Sequence, residues 1–189
     1  FAGTPSALWL NYVFSEVFGL DVVLEEETAD HYYDVIDAAL RRPEFRPRAL
    51  FERFNIEVLA TTESPTDRLE HHEALRRSGW KGRVITTYRP DPVVDPEHEL
   101  FRTSLEEFGQ LTGEDVFTWQ GYLNAHRVRR ATFAQYGATA TDHGHPTPRT
   151  ADLDTQACVR LFDKVLSGRF TPEDAELFRA QMLLEMARM

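Results

Sequence analysis

The sequence predicts an α/β fold, a parallel sheet covered by helices, and three short apolar runs carry that reading. Phe54–Thr62 (FNIEVLATT) leads into Glu63, Arg83–Tyr88 (RVITTY) into Arg89-Pro90-Asp91, and Ala138–Thr141 (ATAT) into Asp142-His143-Gly144-His145. Helix-patterned segments separate the runs, and such alternation favours parallel pairing with helical crossovers. The polar residues follow the carboxyl ends of the strands, where α/β sheets and barrels place their active sites. The pattern is that of an enzyme.

Residues 1–53 precede the first strand and read as helical. Pro5-Ser6 opens a run with Leu8, Trp9, Tyr12, Val13 and Val17 at the spacing of one apolar helix face, and Gly19 stops it. Thr28–Leu40 places Tyr32, Val35, Ile36, Ala39 and Leu40 on one face before Pro43 and Pro47 interrupt. These helices form a cap or insertion, and residues 54–189 form the α/β part.

The strand Phe54–Thr62 is apolar enough to be buried on both faces. Pro65 opens a helix that Ser78-Gly79 stops. After the second strand, Pro90 and Pro92 predict an extended, stiff exit that aims Arg89. Helices are expected over Glu97–Leu111 and Glu114–Tyr136, divided by Thr112-Gly113, before the short third strand. Beyond the Pro- and Thr-rich loop Gly144–Thr150 come helices over Asp154–Leu166 and Thr171–Met189. In the second of these, Thr171 is the cap, Pro172 takes the first position and Asp174 the third. Phe1 at one end and an uncapped helix at Met189 at the other predict a segment of a longer chain.

A chain of 189 residues with 42% hydrophobic and 12% aromatic content can bury a real core. The net charge of −10 and pI near 5.2 argue against a nucleic-acid partner, since phosphate binding calls for clustered Lys and Arg. The lone Cys158 cannot form an internal disulfide and fits a reducing cytoplasm; its helical surroundings mark a packed thiol rather than a nucleophile. Nothing reaches the roughly 18 apolar residues of a membrane span, and no signal peptide opens the chain. A soluble, cytoplasmic protein with no membrane partner is expected.

Asp142-His143-Gly144-His145 is the sharpest local signal. Two histidines one residue apart at a strand end can reach one metal ion, with Asp142 as third ligand or as a partner behind them, and zinc, manganese or iron would accept that set. A loop that touches substrate without metal, or an ordinary turn, reads equally from the same residues. Arg89 offers a planar fork for a carboxylate or phosphate; an ion pair with Asp91 or Asp142 is the plainer alternative. His71-His72 sits mid-helix, where adjacent side chains diverge by about 100° and cannot share a metal. Arg127, Arg129 and Arg130 with His126 form a basic helix face expected to pair with acidic neighbours. His31-Tyr32-Tyr33-Asp34 reads as helix packing.

Five motifs taken together resemble a known family. They are Phe1-Ala2-Gly3-Thr4-Pro5-Ser6 with Trp9-Leu10, Pro43-Glu44-Phe45-Arg46-Pro47-Arg48, Asn55–Thr62 (NIEVLATT), Tyr88-Arg89-Pro90-Asp91 and Ala138–Gly144 (ATATDHG). In this order, across the whole chain, they resemble the uronate (glucuronate) isomerases of the amidohydrolase superfamily. The resemblance implies a metal-assisted (β/α)8 barrel, of which this chain would form about three parallel strands with surrounding helices. It implies interconversion of D-glucuronate with D-fructuronate and of D-galacturonate with D-tagaturonate in hexuronate catabolism. Arg89 matches the family's substrate-binding Arg; Asp142 matches the Asp of its Asp-His motif, and His143 follows in the same pocket.

The departures from the family concern what is absent. Its divalent metal, zinc or manganese, is held by a His-x-His pair on the first barrel strand and an Asp near the last, and neither is found here. His143-Gly144-His145 has the spelling of that pair at a mid-barrel position, so the resemblance transfers no metal ligand to this chain. A barrel reduced to three strands leaves sheet edges uncovered, which predicts a homo-oligomer. Two other readings stay open: another metal-dependent hydrolase of the superfamily that uses His143 and His145 as ligands, and a non-catalytic α/β interaction module.

Overall fold

A computed structural model describes residues 3–189; Phe1 and Ala2, which begin the first family motif, lie outside them. The chain divides into two compact units, one ending at Glu57 and the other spanning Val58–Met189.

The first unit is helical. Helix α1 (Pro5–Tyr12) is capped by Thr4, whose hydroxyl accepts from Ala7 N, and passes into a π-helical turn at Val13–Val17. Gly19 stops the run at φ 71°, a left-handed conformation that favours glycine. Helices α2 (Ala29–Leu40) and α3 (Pro47–Arg53) follow. An aromatic core holds the unit together: Phe14 meets Tyr32 edge-on at 5.1 Å and Phe18 stacks on Phe45 at 5.4 Å. The expected apolar face of α1 packs only in part: Val13 and Val17 are half-buried, but Leu8, Trp9 and Tyr12 are exposed while Ala7, Leu10 and Phe14 turn inward. This helix is apolar on more than one side, so spacing alone could not tell which side packs.

The second unit carries the sheet. Strands β1 (Leu59–Glu63) and β2 (Val84–Tyr88) pair in parallel, with Leu59 opposite Val84 and Glu63 opposite Tyr88. β1 starts later than expected, since the chain turns through Phe54 and Asn55 at the end of α3, with Asn55 at φ 50°. It is also not buried on both faces: Leu59 and Ala60 are exposed. The third run, Ala138–Thr141, forms no strand. It touches β2 through one parallel bridge, Tyr88 with Thr141, as Tyr88 N donates to Ala140 O and Asp142 N to Tyr88 O. Four residues between the turn at Gly137 (φ 92°) and the polar loop leave room for little more. The parallel sheet therefore has two strands rather than about three.

Helix α4 (Glu70–Arg77) begins five residues after Pro65, because Asp67 accepts a hydrogen bond from Leu69 N and Leu69 adopts φ 56°. The exit from β2 is not extended. Pro90 turns it directly into the short helix α5 (Asp91–Val94), where Pro92, lacking an N–H, is tolerated in the first turn. Helices α6 (Phe101–Thr112), α7 (Trp119–Gln135), α8 (Thr155–Leu166) and α9 (Pro172–Arg188) complete the unit. Thr118, Asp154 and Thr171 cap the last three, and Thr171 forms with Asp174 the reciprocal capping box that the sequence signals.

The core gathers Phe108 of α6, Tyr122 of α7, Phe162 of α8 and Phe178 of α9, all essentially sealed from solvent. Tyr122 stacks on Phe162 at 4.8 Å and its hydroxyl donates to Val93 O at 2.7 Å, which ties α7 to α5 and so to the end of β2. Cys158 is buried in this core, where desolvation raises its thiol pKa, as a packed thiol requires.

Candidate functional site at the carboxyl end of the sheet

The loops after β2 and after Thr141 meet at the carboxyl end of the sheet. Arg89 Nε donates to Asp91 Oδ2 at 2.7 Å, and Arg89 Nη1 lies 3.3 Å from Asp142 Oδ2. Both plainer partners foreseen for Arg89 are thus real, and together they orient its guanidinium while 44% of the side chain stays exposed. These contacts, led by the hydrogen bond to Asp91, raise the Arg89 pKa further.

Asp91 does more than balance Arg89. The helical turn of α5 brings its carboxylate back over the second loop, where both oxygens accept from Gly144 N at 3.0 and 3.1 Å. A Cβ at Gly144 would stand 2.7 Å from Asp91 Oδ2 and 2.8 Å from Arg89 Nη2, so a side chain there would push these two groups from their present places.

His143 and His145 both turn toward that carboxylate. Their ring centroids are 5.2 Å apart, and one ligand atom from each of Asp91, His143 and His145 lies within 4.8 Å of the others. His143 Nε2 is 3.0 Å from Thr141 Oγ1. Nδ1 of His143 and both ring nitrogens of His145 are buried without a hydrogen-bond partner among the described residues. Desolvation is the largest cause of the lowered pKa of each ring. The third acidic member of this metal-capable group is therefore Asp91; Asp142, the sequence's candidate, faces Arg89 instead.

Behind the loop, Arg179 of α9 is only 5% exposed and gathers three carboxylates, Asp95 and Glu97 at 2.7 Å and Glu176 at 3.2 Å. Glu176 also accepts from the Thr147 hydroxyl, and Arg149 pairs with Glu173 at 2.7 Å, so the loop carrying the histidines is fastened to α9. Sequence alone did not single out Arg179, because two of its three partners, Asp95 and Glu97, lie 84 and 82 residues away.

Beneath the site, Tyr88 Oη is 2.8 Å from His126 Nδ1. Burial, with help from nearby Arg130, pushes His126 down to about 3; burial also raises the Tyr88 hydroxyl, against the opposing pull of Arg129 and Arg130, so both are neutral at ordinary pH. The basic face of α7 does not pair with acids as expected. Arg129 donates to the carbonyls of Pro65 and Asp67 at 2.8 and 2.6 Å, Arg130 to that of Met186 at 2.5 Å, and Arg127 to the Asn124 side chain at 3.1 Å. Carbonyls at turns and helix ends are unpaired acceptors, and they accept from a guanidinium in the place a carboxylate would otherwise take. His71 and His72 diverge as expected: His71 is exposed, while His72 is buried against Thr61 Oγ1 at 2.9 Å and 3.7 Å from Glu63. No helix among the described residues is long and apolar enough to cross a membrane.

Comparison with known proteins places the chain as a whole in a family context. The family model described as glucuronate isomerase matches residues 1–189. The uronate isomerase of Phenylobacterium zucineum is 68% identical over 189 residues, and that of Xanthomonas axonopodis pv. citri 68% identical over 187. The chain covers 39% and 40% of these two proteins. Among solved structures, the glucuronate isomerase of Caulobacter crescentus superposes with a TM-score of 0.93 at 57% identity over 98% of this chain and 39% of that one. The uronate isomerase of Thermotoga maritima follows at 0.87 and 28% identity, over 100% of this chain and 42% of that one.

Proposed function

The chain belongs to the glucuronate isomerase family, and from that premise we propose that it is a segment of a uronate isomerase which supplies part of the site for a hexuronate. The chain spans about 40% of the length of the curated relatives it matches, so the activity is a property of the longer protein. The reaction is aldose–ketose isomerisation: a base removes the proton at C2, an enediol forms, and a proton returns at C1 as the carbonyl moves to C2.

Arg89 is the residue on which this reading turns. Every hexuronate carries a carboxylate, and a guanidinium held by two carboxylates yet still half exposed is suited to receive it by charge-assisted hydrogen bonds. Asp142, 3.3 Å from Arg89, would set the field around the sugar and accept from its hydroxyl groups. His143, neutral and half buried, would face the same pocket. The divalent metal of the family, zinc or manganese, would orient substrate oxygens from ligands outside these residues.

In the complete enzyme the two-stranded sheet would be part of a (β/α)8 barrel and residues 1–53 a helical cap. A reducing cytoplasm fits the buried free thiol, and homo-oligomeric assembly fits this segment by itself, whose sheet edge would be covered in the full barrel.

The test is Arg89→Ala in the full-length isomerase, assayed with D-glucuronate. Loss of roughly 3 kcal/mol of charge-assisted binding in the transition state lowers kcat/KM by about 10²-fold or more. An unchanged kcat/KM removes Arg89 from the substrate site.

A further inference from the structure

Asp91, His143 and His145 hold the donor set of a divalent-cation site, two imidazoles and one carboxylate, and three features of the chain prepare it. The first is the supply of free donors. Three ring nitrogens on two histidines are buried with no partner among the described residues, an arrangement that costs free energy unless something occupies them. The second is orientation. His143 Nε2 is engaged by Thr141 Oγ1, and in the tautomer that donates to this oxygen the Nδ1 lone pair is left to face inward. Metal-binding histidines are held in this way, one nitrogen fixed by a hydrogen bond and the other on the ion.

The third feature is the placement and charge of Asp91. Its carboxylate is fixed by Arg89 Nε and by Gly144 N, the backbone link between the two histidines, and these contacts leave acceptor capacity on Oδ1. Asp91 and Asp142 share the single charge of Arg89, so the cluster carries a net negative charge that a cation would neutralise. Gly144 suits the same geometry, since a Cβ there would displace the Asp91 carboxylate from its present place.

We infer that Asp91, His143 and His145 bind a divalent transition-metal ion such as zinc or manganese. The present atoms lie within 4.8 Å of one another, whereas donors around a tetrahedral zinc with bonds of about 2.0 Å are about 3.3 Å apart. Modest rotation of the two imidazoles closes that difference, and three protein ligands leave a position open for water or a substrate oxygen. This site differs from the one that family resemblance gives to the first and last barrel strands. It does not depend on the isomerase reading, because binding can be measured without sugar.

The experiment is a titration of the purified 189-residue chain with Zn2+ and with Mn2+ by calorimetry, followed by desalting and elemental analysis. Wild type is expected to retain about one equivalent of zinc, His145→Ala to bind at least about tenfold more weakly, and His143→Ala/His145→Ala to retain none. Absence of metal in wild type, or equal retention by the folded double variant, overturns the assignment. If circular dichroism shows the double variant unfolded, wild type loaded with Co2+ decides: two paramagnetically shifted imidazole N–H resonances support the site, and their absence refutes it.

Discussion

Tyr88 and Arg89 are consecutive residues at the end of one strand, yet they enter opposite environments. Tyr88, 1% exposed, descends into the helical core and meets His126, which is wholly buried between the rings of Tyr122 and Phe108. Arg89 turns the other way, into a cluster of two carboxylates and two half-buried histidines. The alternation of a strand produces this division, since successive side chains point to opposite faces. The comparison teaches that a histidine's chemistry is set by where the backbone sends it. Below the sheet, burial keeps His126 neutral and makes it a packing group; above, His143 and His145 keep free donors beside charge.

Acid should expose the difference most strongly. His126 is near 6.5 when unfolded and about 3 when folded, so the unfolded chain takes up a proton below pH 6.5 that the folded chain refuses. The stability tied to this group is fully present above pH 6.5 and is lost as pH falls toward 3. The slope approaches about 1.4 kcal/mol per pH unit, and the whole window amounts to roughly 5 kcal/mol. Urea unfolding of wild type and His126→Leu at pH 7, 6 and 5 isolates this contribution from that of the carboxylates. The variant should lose less stability on acidification, and parallel curves would break the picture of a neutral buried imidazole.

The hydrogen bond within that pair comes next in size. Tyr88→Phe removes one partner and leaves a buried ring nitrogen unsatisfied, which should cost about 1–3 kcal/mol. In a His126→Leu background no polar partner is stranded, and the same change should be nearly free. Equal costs in the two backgrounds would mean that the pair contributes through shape alone.

How much of this was legible in the sequence follows from the range of the interactions. The cap at Thr171 was readable because a cap and the N–H it accepts from are three residues apart. β2 was readable from its β-branched run, and the ion pairs of Arg89 with Asp91 and Asp142 from the opposite charges that follow the second and third runs. The family motifs were readable across the whole length. What escaped depends on distant or local three-dimensional detail. The start of α4 was set by an Asp67 turn, the exit from β2 by how Pro90 and Pro92 enter a helix, and the third run was too short to become a strand. The importance of Asp91 was hidden because its carboxylate works on a backbone N–H 53 residues away. The buried arginines were misjudged because carbonyl acceptors have no signature in side-chain chemistry.

The smallest expected effect on stability is at Arg89, and its smallness sharpens the contrast with Tyr88. Its ion pairs with Asp91 and Asp142 are partly solvated, with both Arg89 and Asp142 side chains 44% exposed. Water recovers most of what such pairs supply, so Arg89→Ala should change unfolding free energy by less than about 1 kcal/mol. The same substitution is expected to cost the full-length isomerase about a hundredfold in kcat/KM. A thermal or urea melt on the variant used for kinetics measures both quantities on one preparation. Small loss of stability with large loss of activity is the mark of a residue placed for a ligand. Large loss of both would make Arg89 a fastener of the two loops through Asp91 and Asp142, with the kinetic defect following from their displacement.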